Sequence, residues 1–173
     1  MFLELIATMF AGLAMAGVIM LVNRMTRGRL PKWAAPVGAG LAMIATTVSN
    51  EYSWFSRTAD SLPAGLEIVQ TVEKQSLYQP WTYVVPYVTR FAAFDRQSAR
   101  ENPQLPGQLL ADLYFFGRWA QVQRIYVALD CQSQRRAIVS SGTVFGDDGS
   151  LSEVDWIAAD AEDPLMSAAC GGA

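Results

Sequence analysis

The longest apolar run lies at the start of the chain. Leu5 to Val22, LIATMFAGLAMAGVIMLV, is 18 residues without a charge. With Met1–Leu3 and Asn23 it reaches the roughly 20 residues that cross a hydrocarbon core of about 30 Å. Glu4 falls at headgroup depth. A thinner second run, Trp33 to Asn50, contains Pro36, Gly38 and Gly40. Such residues are tolerated in a membrane where neighbouring helices satisfy the freed backbone. The pattern predicts a transmembrane helical hairpin over 1–50, with helices 3–23 and 33–50, a cytoplasmic loop 24–32 and Pro31 as a stop. Trp33 at one end, and Tyr52, Trp54 and Phe55 at the other, suit interfacial anchors.

Beyond residue 50 the pattern changes. Residues 51–80 read as a linker and an amphipathic helix, capped by Ser61 with Pro63 in its first turn and Leu66, Ile68, Val69 and Val72 on one face. Residues 81–173 read as an antiparallel β domain. Trp81–Phe94 is rich in aromatic and β-branched residues, with Pro86 marking an edge or bulge. Arg96–Gly107 reads as a polar loop. Gln108–Arg118, Val122–Asp130 and Arg136–Phe145 are further strands, and Ile125, Val127 and Leu129 alternate with Arg124, Tyr126, Ala128 and Asp130. Asp147-Asp148-Gly149 is a hairpin turn leading into Leu151–Ile157. Asp163 caps a short terminal helix, PLMSAAC, with Pro164 in its first turn. The fold class expected is α+β: the hairpin, then a small antiparallel sheet with flanking helices and one disulfide.

Charge sets the orientation of this arrangement. Arg24, Arg27, Arg29 and Lys32 crowd the loop between the two runs with no acid among them, and the positive-inside rule keeps that loop cytoplasmic. Both termini and the β domain then lie in the periplasm of a bacterium, with the hairpin in its inner membrane. A cleaved signal peptide is the rival reading, because Ala14-Met15-Ala16 mimics a cleavage site. Against it, Glu4 stands where a basic segment would be, and the apolar run continues past Ala16. From Glu51 onward nine Lys and Arg face fifteen Asp and Glu. So acidic a domain is a poor partner for nucleic acid. Small residues at four-residue spacing, Gly12 with Ala16 and Gly38 with Ala42, permit close helix packing.

Candidate chemistry is sparse. The chain has no histidine, which removes the commonest general base and metal ligand. Its two cysteines, Cys131 and Cys170, cannot build a four-ligand zinc site unaided. In an oxidising compartment they form a disulfide, the alternative being two unrelated buried thiols. No CxxC spacing points to a redox role. Asp155, Asp160, Glu162 and Asp163 form an acidic run without calcium-loop spacing. Ser140 and Ser141 have no histidine to activate them. Arg135-Arg136 suits either a carboxylate or phosphate grip or a charged strand edge. Tyr114-Phe115-Phe116 puts apolar groups on both faces of a strand, leaving one for a partner. No catalytic residue, cofactor or metal is expected.

The strand ending in Asp130-Cys131, the basic pair Arg135-Arg136, the turn around Gly149 and the run from Pro164-Leu165-Met166 to Cys170 resemble the surface-adhesin protein E-like domains of Gram-negative bacteria. The resemblance covers residues 81–170 at most. It implies a small exported domain with the two cysteines joined. Members of that family are exported or lipid-anchored, whereas this chain carries a two-helix anchor that would hold it away from a host surface, so the adhesin role is not carried over. The function expected is that of a non-catalytic accessory subunit. It would stabilise or cap a larger inner-membrane complex, for example one of respiratory or photosynthetic electron transfer, with lipid and the helices of that complex as partners. Tyr114, Phe115, Phe116, Arg135 and Arg136 are the candidate partner surface. The alternative is a freestanding membrane-anchored periplasmic binding module.

Overall fold

The computed structural model describes residues 2–171 apart from Tyr78, Ser141, Asp147, Asp148, Glu153 and Ala161. The chain forms two compact units, Met1–Arg57 and Thr58–Ala173.

The first unit is helical: α1 spans Phe2–Met25 and α2 Ala34–Asp60. At 1.5 Å per residue, the 24 residues of α1 extend about 36 Å. Among the described helices only α1 is both long and apolar enough to cross a membrane, a criterion that a signal sequence also meets. The two helices meet through small residues. Gly12 is buried, and a methyl group there would stand 2.8 Å from Met43 Cγ. One at Gly38 would collide with Ile19 Cδ1. Ala16 and Ala42 are half-buried. The large apolar side chains, among them Phe10, Leu13, Val18, Leu21, Leu41 and Ile44, point outward and are exposed.

The link between the helices is tightly built. Gly28 N–H donates to Asn23 C=O at 2.7 Å and Arg27 N–H to Arg24 C=O at 3.3 Å, the paired bonds of a Schellman cap. Arg27 takes the left-handed position of that cap at φ 56°. A non-glycine residue there costs roughly 1 kcal/mol. Asn23 Oδ1 accepts Leu30 N–H at 3.0 Å and pins the far side of the turn.

α2 runs ten residues past the expected end at Asn50. Pro36 lies in its first turn, where a missing N–H is harmless. Nothing in Glu51–Asp60 breaks a helix, and Ser53 and Ser56 hydroxyls and Arg57 Nε donate back to carbonyls one turn earlier. Pro63 disfavours helix at the residue before it, which accounts for the end at Asp60.

The second unit corrects the amphipathic helix expected after Ser61. Leu66–Lys74 is a strand, β1. Its apolar positions fit helical and strand periods alike, but Ile68, Val69, Thr71 and Val72 are β-branched, and an antiparallel partner lies alongside. That partner, β2, spans Tyr87–Glu101. It starts just after Pro86, because Pro80–Tyr83 upstream is a 3₁₀ turn rather than strand. It also extends through half of the expected 96–107 loop, with a register break between Asp95 and Arg100. β3 (Gln108–Gly117) and β4 (Ala120–Asp130) lie where the alternation put them. The strand expected over Arg136–Phe145 is broken into β5 (Arg135–Val139) and β6 (Val144–Phe145). β6 pairs with β7 (Leu151–Ser152) around Gly149, whose φ is 72°. The Asp147-Asp148 part of that predicted turn lies outside the described residues. β8 (Ile157–Ala158) returns to the main sheet. The six-stranded antiparallel order is β1-β2-β3-β4-β5-β8.

α3, Pro164–Cys170, packs on one face of this sheet. Leu165, Met166 and Ala168 meet Ala92, Phe94, Ala111, Leu113, Val127 and Leu129. Cys131, just after β4, is bonded to Cys170 at the end of α3.

The seam between α1 and α2 predicts a sharp contrast between glycines. Gly38→Leu is expected to destabilise the helical unit by about 1–3 kcal/mol through overpacking against Ile19. Gly40→Leu, where a side chain meets nothing within 4 Å, should leave it unchanged. Thermal melts of helical circular dichroism in detergent check both.

Candidate functional site

The sheet is wider than its helical cover. Six strands at about 4.8 Å spacing span roughly 24 Å. Seven helical residues reach only about 10 Å. Side chains alternate between faces, so on β3 Ala111, Leu113 and Phe115 share the α3 side, as Ile125, Val127 and Leu129 do on β4. α3 covers one end of that face. The other end is an open groove of about 310 Å³, floored by Val69, Leu113, Phe115 and Ile125 and walled by Ile138 and Ile157. Ile138 is 60% exposed and Ile157 57%, although both belong to strands of the main sheet.

One ion pair closes the inner end of the groove. Arg136 Nη1 lies 2.7 Å from Asp163 Oδ2. The second oxygen of Asp163 accepts Leu165 and Met166 N–H at 2.9 and 3.4 Å and caps α3. Asp163 therefore belongs to the fold rather than to a solvated acidic run. Asp160 and Glu162 flank it in sequence, and no three His, Cys, Asp or Glu among the described residues converge as a metal-ligand set.

The opposite face holds two similar pairs. Asp112 meets Arg124 at 2.8 Å, and Arg124 also lies over the Tyr126 ring at 4.9 Å. Asp130 meets Arg135 at 2.8 Å, and that guanidinium lies over Trp156 at 5.1 Å. In each pair a buried carboxylate faces a half-exposed arginine. Asp130 Oδ1 also accepts Gln132 and Ser133 N–H at 3.2 and 3.0 Å, shaping the turn after Cys131. Burial pushes the Asp130 carboxyl up, but the Arg135 hydrogen bond and the Ser133 donors outweigh it and hold it below the ordinary value.

The expected partner surface does not form one patch. Tyr114, Phe116 and Arg135 lie on the face away from α3, whereas Phe115 and Arg136 lie on the α3 side at the groove. Phe116 stacks on Phe91 from the neighbouring strand, with centroids 4.7 Å apart. The basic pair is engaged within the fold, Arg135 by Asp130 and Arg136 by Asp163. The small residues Gly12 and Gly38 are likewise taken up inside the hairpin, by Met43 and by Ile19. Arg24, Arg27, Arg29 and Lys32 are exposed at the turn between α1 and α2. Sequence reasoning missed Ile138 and Ile157 as groove residues. Both stand in short apolar runs, Ala137-Ile138-Val139 and Trp156-Ile157-Ala158, and which face each joined depended on a pairing between distant segments.

No family model matches this chain, and neither a curated protein nor a solved structure matches it.

Two outcomes follow. Asp130 contributes stability in full above the unfolded-chain value of 3.8 and loses it as the pH falls below that value through its lower native one. Asp130→Asn should flatten that part of the acid limb in denaturant titrations across pH. Replacing Cys131 and Cys170 by Ser opens a closed loop with a separation of 39 residues. By chain entropy this costs about 4 kcal/mol, read from the same titrations at neutral pH.

Proposed function

We propose that this chain is a non-catalytic accessory subunit of a larger bacterial inner-membrane complex. In this reading both helices sit in the membrane, and the disulfide-stapled sheet unit caps the complex from the periplasm. One observation carries it. The helical unit packs through glycine and alanine and turns its large apolar side chains outward, the reverse of a water-soluble helical pair.

The weakness of α2 supports a protein neighbour rather than lipid alone. Among the described helices only α1 is apolar enough to span by itself, and the polar residues of α2 cost less against other helices than in hydrocarbon. The cations of the connecting turn support a cytoplasmic loop. The disulfide supports an oxidising compartment for the sheet unit. The resemblance of residues 81–170 to adhesin-E-like exported domains agrees with that side of the membrane. Capping works through buried area and raised effective concentration rather than through bond chemistry.

A second reading, a freestanding periplasmic binding module, draws on the groove beside α3, which has room for apolar side chains of an exported polypeptide.

Extraction of native membranes with mild detergent, followed by native electrophoresis, separates the two. Comigration with a large assembly is expected of the subunit. A small free species would overturn that assignment in favour of the binding module. Release of the chain by alkaline carbonate, without detergent, would overturn both.

A further inference from the structure

The cations at the turn between α1 and α2 differ from four in the sheet unit, Arg96, Arg124, Arg135 and Arg136, each of which faces a carboxylate. Among the described residues no acid faces Arg24 or Arg27. Both border a shallow depression at the end of α1, together with Gly17, Met20, Leu21 and Gly28. The Schellman cap creates this arrangement, because the left-handed Arg27 reverses the chain at the head of the helix. Below the cations the surface is apolar, and it is open at Gly17, where a side chain would meet nothing within 4 Å.

We propose that this depression is a binding site for one anionic phospholipid. Arg24 and Arg27 would hold the headgroup phosphate, with the glycerol and upper acyl chain lying along Leu21 and Met20 over Gly17. Two guanidiniums offer the forked donors that suit a phosphodiester. From Gly17 to Arg24 is about 10 Å along the helix, enough for a glycerol backbone and the start of a chain. A soluble anion would have no use for the apolar floor. The inference rests on the membrane reading of α1 and α2.

The test is native mass spectrometry of the full chain in mild detergent, titrated with phosphatidylglycerol, phosphatidylcholine or free glycerol phosphate. Retention of phosphatidylglycerol over the other two is expected. Arg24→Gln and Arg27→Gly should each weaken that retention about fivefold, the effect of one cation near an anionic headgroup. Arg27→Gly also relieves the left-handed strain, so a loss cannot come from a damaged turn. Gly17→Leu keeps both charges and fills the depression, and should weaken the phospholipid alone. Equal retention of both lipids, or indifference to all three variants, would overturn the site while leaving the membrane reading intact. Glycerol phosphate bound as well as phosphatidylglycerol would overturn the lipid assignment. Purification of the chain from the aqueous phase without detergent would overturn the membrane reading, and the site with it.

Discussion

Everything in the sheet unit depends on keeping α3 against the sheet. Seven residues are too few for a helix to persist alone, since isolated helices shorter than about 12 residues are marginal in water. Three attachments replace intrinsic stability. Asp163 caps its amides, Arg136 holds the same carboxylate from β5, and Cys170 bonds it to the end of β4. The last two tie opposite ends of α3 to different strands, so the helix is fixed in direction as well as in place. Leu165 and Met166 can then bury themselves over Leu129 and its neighbours. The open groove is the other side of the same arrangement, because so short a cover leaves Phe115, Ile138 and Ile157 bare.

The two units solve burial in opposite ways. In the sheet unit the large side chains Phe91, Phe94 and Leu129 are inside, and charged residues are compensated where they are buried. Asp112, Asp130 and Asp163 are all nearly inaccessible and all paired, as an ionised group out of water requires. In the helical unit the contact between helices is made by glycine, and the bulk faces out. That second arrangement is the one the proposed membrane setting would favour.

Local signals in the sequence were legible, and pairings between distant segments were not. The apolar first helix, the β3 and β4 alternation and the Asp163 cap are each written within one stretch of the chain, and each is found in the structure. The disulfide followed from there being only two cysteines in a chain expected to reach an oxidising compartment. Leu66–Lys74 was misread because its apolar spacing fits two periods, and the choice fell to β2, which lies about 20 residues on. Arg135 and Arg136 looked available because their acidic partners are identifiable only once β4, β5 and α3 are assembled. Likewise, Tyr114, Phe115 and Phe116 are adjacent in sequence and divided in space by the pleat.

The Cys131–Cys170 bond also orders the events of biogenesis. Cys170 follows every strand of the main sheet in chain order. The ribosome must therefore deliver all of them before the thiols can meet. Until then the face meant for α3 stays uncovered, with Phe94, Leu113 and Leu129 open to other nascent chains or chaperones. Covalent closure then fixes that cover in place.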